Sequence, residues 1–206
     1  MPELLPNYDN YVMLRHLCKS GSPKARKKAM STADGYKPLA KIFHWLTALL
    51  VLLTIPAALT MLTPGIGRWL QDPLFMFHKN VGVVLLVLVA ARLAYRLLNP
   101  PPPLPQSMPR FQRYIAETTH WLLYGLLLAM AISGFIRVTA GGFPLEVFDR
   151  FGIQNLVPRS DSLAETAKRI HAFLRFPLIT LIVLHIGAAL YHGFIKRDGI
   201  VNRMLP

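Results

Sequence analysis

The sequence predicts an all-α fold, an up-down bundle of four helices that cross a lipid bilayer, and three observations carry that expectation. Of 206 residues, 53% are hydrophobic and only 16% charged, too little charge to cover a soluble domain. The apolar residues are gathered into four blocks, 42–62, 75–98, 114–138 and 173–194. Each block is long enough to cross about 30 Å of hydrocarbon as a helix, and backbone groups in lipid have to be satisfied within the segment. The third observation is a histidine spacing that only a helix makes meaningful, set out below.

Residues 1–37 read as a flexible, basic, cytoplasmic extension, with Pro6, Gly21, Pro23 and Gly35 around Lys24, Arg26, Lys27 and Lys28. Met30, ahead of Ser31, Thr32 and Ala33, offers a second start, so no function is rested on this extension. Residues 38–206 form the membrane domain. Its first span lacks the flanks of a cleaved signal and is expected to stay in the mature protein. Between the second and third spans, Pro100, Pro101, Pro102, Pro103, Pro105 and Pro109 impose a stiff, extended spacer. The longest connection, 139–170, is rich in glycine, proline and charge, and Asp161 or Ser162 can cap a short helix through Lys168, as a lid would need.

An even number of spans puts both termini on one side. Most of the 23 basic residues lie in the N-terminal segment, around the proline-rich connection and in the C-terminal tail. The positive-inside rule therefore places both termini in the cytoplasm. The net charge of +13 does not point to nucleic acid, because the basic residues flank apolar spans; anionic lipid headgroups are the expected partner. Cys18 is the single cysteine, which excludes a disulfide framework, a thiolate cluster and C-x-x-C-H haem attachment.

His171 and His185 are fourteen residues apart, and His192 follows seven later. Fourteen residues turn a helix through about 1400°, roughly 40° short of four turns, so the three imidazoles share one face. The same stretch rises about 21 Å, so one helix offers ligands at two depths. His16 reads as an ordinary surface residue, whereas the other six histidines lie in spans or at their edges. Any one of those six taken alone is explained equally well by a hydrogen bond between helices. Depth matching sets His78 against His171 near the outer surface and His44 against His185 toward the inner one. Facing neutral imidazoles suit the two axial positions of a haem iron, leaving no open site for oxygen. Zinc would require four converging ligands instead of separated pairs. Gly82, Gly125, Gly134, Gly187, Ala188 and Ala189 leave room for flat macrocycles or serve close helix packing. Lys79, Arg68, Arg169 and Arg175 are candidates to neutralise haem propionates, or else snorkel at helix ends.

The runs Phe43-His44-Trp45-Leu46, His78-Lys79-Asn80-Val81-Gly82, Arg92-Leu93 through the prolines, His120-Trp121-Leu122-Leu123-Tyr124, and His185 through His192 to Arg197-Asp198-Gly199 resemble the bacterial cytochrome b561 family over about residues 36–206. Ala131 and Gly193 depart from it, where many members carry a proline and a second histidine. The resemblance implies four helices around two non-covalent b-type haems in the bacterial inner membrane, with electron exchange with quinone. His120 and His192, left over from the pairing, are expected to line a quinone pocket, with His192 as hydrogen-bond or proton donor. Trp45 reads as an interfacial anchor, with packing against the quinone ring as the alternative. Some members of the family are similar to superoxide oxidases. A basic outer rim would steer that small anion, so the leading expectation is an enzyme that oxidises superoxide and reduces ubiquinone. The alternatives are a membrane subunit linking a partner dehydrogenase or soluble cytochrome to the quinone pool, and a non-redox transporter with histidine relays.

Overall fold

The computed structural model describes residues 35–105, 108–153 and 156–205. The basic extension and His16 lie outside the described residues up to residue 34. The described residues are helical, without strands: α1 (Pro38–Met61), α2 (Arg68–Leu98), α3 (Arg110–Ala140), a short α4 (Glu146–Asp149) and α5 (Asp161–Leu190). A π-helical turn, Tyr191–Lys196, and a 3₁₀ turn, Val201–Arg203, follow. Four of the helical segments, α1, α2, α3 and α5 with its π-helical extension, are long and apolar enough to cross a membrane.

Several helix ends have a local cause. Pro38 opens α1, where a missing N–H costs nothing and the fixed φ suits a helix. α2 ends at Asn99 as the proline run begins, and α3 begins after Pro109. At the end of α3, Gly142 takes φ +75°, the Gly142 N–H donates to Thr139 O, and the Phe143 N–H donates to Val138 O. This 5→2 and 6→1 pair needs a left-handed residue, which glycine supplies without steric cost. α5 is capped by Ser160, whose hydroxyl accepts from the Leu163 N–H at 3.3 Å, and not by Asp161 or Ser162. No separate short helix ends at Lys168, because α5 runs unbroken from Asp161 to Leu190. The segment expected as a free lid is therefore partly the first turns of the fourth span.

Consecutive helices run antiparallel, with α1 packed on α2, α2 on α3, and α3 on α5. α1 and α5 are not among the closely packed pairs. On α1 the buried residues Thr47, Val51, Thr54, Ala57 and Met61 form a single helical stripe. Large apolar side chains such as Leu49, Leu52, Val87 and Val183 face outward. This is the reverse of a soluble bundle, because here the surface is apolar and lipid solvates it. Two cavities lie along the bundle, each lined by all four long helices. One lies at the end of the bundle holding both described termini, here the near end, and the other at the far end.

Candidate functional site

At the far end, the cavity of about 280 Å³ is bordered by His78 of α2 and His171 of α5. Their ring centroids are 6.1 Å apart and the rings nearly perpendicular, at 88°. His78 Nδ1 lies 3.3 Å from Thr54 O, and His171 Nδ1 lies 2.9 Å from Met130 O. A carbonyl only accepts, so Nδ1 carries the hydrogen in both rings and Nε2 keeps a free lone pair. The small residues are part of this geometry. A Cβ at Gly134 would lie 3.0 Å from His171 Cε1, so glycine there lets the imidazole reach the Met130 carbonyl. Nothing lies within 4 Å of the position a Gly82 Cβ would take, beside the same cavity.

Lys79, Arg137, Lys168 and Arg175 border this cavity, whereas Arg68 and Arg169 do not. Arg169 instead contacts Glu165 at 3.4 Å. Lys79 is committed to Glu146 at 2.7 Å and to Pro144 O at 2.7 Å, and Asn80 Nδ2 donates to the second Glu146 oxygen at 2.7 Å. Partial burial alone pushes the Glu146 carboxyl up, but the hydrogen bonds from Lys79 and Asn80 outweigh it and hold the group below its ordinary value.

At the near end, a cavity of about 500 Å³ gathers His44, His120, His185 and His192. His185 has two ring neighbours: its centroid lies 6.3 Å from that of His44 and 5.6 Å from that of His120. His120 is thus a direct neighbour of His185 and not merely a residue of the cavity rim. The two arginines here are not apparent from spacing. Arg92 donates to His44 Nδ1 at 2.8 Å and stacks over Tyr124, and Arg96 lies over Tyr124 and Trp121. A guanidinium only donates, so this contact places the His44 hydrogen on Nε2. Trp45 borders the cavity and donates to Met204 O at 2.9 Å. The 3₁₀ turn closes the floor, with Tyr36 N donating to Arg203 O at 3.1 Å. His192 Nδ1 meets Asp198 Oδ2 at 2.5 Å. Gly125 and Gly187 border neither cavity, whereas Ala188 and Ala189 border the near one.

With this arrangement in view, comparison with known proteins is decisive. A family model described as prokaryotic cytochrome b561 matches residues 35–206. The chain belongs to the prokaryotic cytochrome b561 family. It is 34% identical over 178 residues to cytochrome b561 homolog 2 of Escherichia coli (strain K12), covering 85% of this chain and 93% of the relative. It is 31% identical to a probable superoxide oxidase CybB of Yersinia pestis, covering 79% of this chain and 91% of that protein. Identity to cytochrome b561 homolog 1 of E. coli is 28%, over 79% and 92% of the two chains. It is therefore a bacterial membrane protein of electron transfer, in a family whose name implies b-type haem.

The residues present fit that group. An imidazole nitrogen binds a first-row metal at about 2.0–2.1 Å, with the ring centroid roughly 1.1 Å behind it, so trans imidazoles put their centroids about 6.3 Å apart. The His78–His171 and His44–His185 spacings of 6.1 and 6.3 Å match this, whereas the His120–His185 spacing of 5.6 Å is shorter. Among the described residues no cluster of three or more His, Cys, Asp or Glu is placed to hold a bare metal ion.

Proposed function

We propose that this cytochrome b561 family member holds two non-covalent b-type haems and conducts electrons across the inner membrane, oxidising superoxide at the far end and reducing ubiquinone at the near end. The observation that carries the reading is the pair of imidazole couples at haem-spanning separation, one in each cavity. His78 and His171 would hold the far haem, and His44 and His185 the near one. At the far site Thr54 O and Met130 O fix the imidazole tautomers, as outer-shell partners of metal-bound histidine do. At the near site Arg92 has to release His44 Nδ1, and a haem carboxylate is a stronger acceptor for its guanidinium than a neutral ring. Bound haem supplies one-electron transfer, and two such centres match a quinone that takes up two electrons.

The remaining assignments follow from charge and position. The basic near-end segments support a cytoplasmic face there. Arg137, Lys168 and Arg175 give the far cavity a basic border that attracts a small anion. A relative named as a probable superoxide oxidase supports superoxide as the donor. His120 and His192 are the residues of the near cavity assigned to quinone, with His192 as its proton donor. The experiment is to supply superoxide and ubiquinone to the purified, haem-loaded protein and measure ubiquinol. Formation above the uncatalysed rate is expected, and none above background removes superoxide as donor.

A further inference from the structure

His192 lies in a π-helical turn, a local widening of the helix often found at functional positions. Directly after it the chain reverses: Arg197 adopts φ +50° and Gly199 φ +78°. This reversal brings Asp198 back onto His192, with Asp198 Oδ2 at 2.5 Å from Nδ1. The Ile200 N–H donates to the other oxygen at 3.3 Å, which fixes the carboxylate plane. A carboxylate only accepts, so Nδ1 bears the hydrogen and Nε2 is left for the cavity that His192 borders.

The surrounding charges explain why a carboxylate is needed here. The near cavity also receives His44 from α1, Arg92 and Arg96 from α2, His120 from α3, His185 from α5 and Arg203 from the 3₁₀ turn. Lys196 lies beside the Tyr191 ring and contacts Gln112 Oε1. Among the described residues, no aspartate or glutamate borders the cavity. Arg92, Arg96 and Arg203 are the cations among its lining residues, and Asp198 is the negative charge in contact with His192. Burial pushes the Asp198 carboxyl up, but the hydrogen bonds from His192 and the Ile200 N–H, with the charges of His192 and Lys196, outweigh this and hold it below the ordinary carboxylate value.

We propose that Asp198 is a positioning residue for quinone reduction: it locks His192 with Nδ1–H toward the carboxylate and Nε2–H toward a quinone oxygen. The proposal rests on the quinone reading above. Once electrons from the near one-electron centre make the quinone oxygen basic, the Nε2–H bond of imidazolium His192 breaks and an O–H bond forms. The N–H bonding pair remains on Nε2 as a lone pair. Nδ1 keeps its hydrogen on Asp198, and Nε2 regains a proton from the aqueous edge of the cavity.

The test compares the haem-loaded wild type with Asp198→Asn, Asp198→Glu and His192→Gln. A far-downfield proton resonance from the short Nδ1–H···Oδ2 bond is expected in the wild type, absent from Asp198→Asn and from His192→Gln. Asp198→Asn is expected to keep both haems, to lose at least about tenfold in kcat for ubiquinone with little change in KM, and to lose activity at lower pH than the wild type. Asp198→Glu is expected to restore most of the rate. An Asp198→Asn protein with wild-type kcat and pH profile overturns the proposal, as does a tenfold loss with an unmoved pH profile and no rescue by glutamate. A wild type that shows the resonance but reduces no quinone from any electron donor overturns the quinone reading itself, and the resonance tells that failure apart from the absence of the His192–Asp198 bond.

Discussion

His171 shows how few atoms set an imidazole's direction. Its Nδ1 is held by the Met130 carbonyl at 2.9 Å, with the Ser133 hydroxyl at 3.2 Å, and it reaches them because position 134 has no side chain. Gly134→Val is therefore expected to displace the ring at a cost of about 1–3 kcal/mol, lowering the thermal midpoint and the far-site haem. Gly125→Ala, with nothing within 4 Å of the added carbon, is the control expected to leave both unchanged. His171→Ala or His78→Ala is expected to remove one haem of the two, and His44→Ala or His185→Ala the other, with absorbance per chain falling by about half. The depths of these four histidines are legible in the sequence, because helical rise and antiparallel order fix height. Lateral position is not, since it depends on which helices pack together. That is why His120 emerges as a neighbour of His185 and why the contacts of Arg92 and Arg96 with His44, Tyr124 and Trp121 are not legible, although both arginines lie in a quoted run. Asp198 lies in a quoted run, yet its contact with His192 depends on a left-handed Arg197 that no residue preference announces.

Among the elements, the small α4 owes its place to α2. Glu146 is fastened by Lys79 and Asn80, and the Val147 N–H donates to Asn80 Oδ1 at 3.1 Å. Val83, Val138 and Leu145 pack beneath it, joined by Phe135 and Phe148. The sign of the pH dependence follows from the lowered Glu146 value. The fastening is fully present above pH 4.5, the ordinary glutamate value, and is lost as pH falls through the lower folded-state value. Amide exchange at Val147 is expected to be slow at neutral pH and to accelerate on acidification. Glu146→Gln is expected to accelerate it about fivefold at neutral pH, near the upper end for a partly exposed pair. Unchanged exchange in that variant would show that the apolar contacts alone hold α4. Element boundaries are less legible than the apolar blocks themselves. Ser160, Asp161 and Ser162 are all capable caps, and the choice falls on Ser160 because its backbone is extended, with φ −158° and ψ 111°, where the helix begins. The π-helical turn at Tyr191–Lys196 leaves no signature in hydrophobic periodicity.

At the scale of the molecule, two cavities lie along the bundle, each lined by all four long helices and each with an imidazole couple at its border. This architecture is the most legible feature of the chain, because lipid imposes long apolar runs and helices are their economical solution. The central claim is that each polypeptide holds two haems without a covalent bond, and acid–acetone extraction followed by a pyridine haemochrome count per chain measures it directly. The expected result is two extractable b-type haems per chain; one, none, or haem that stays with the protein would contradict it.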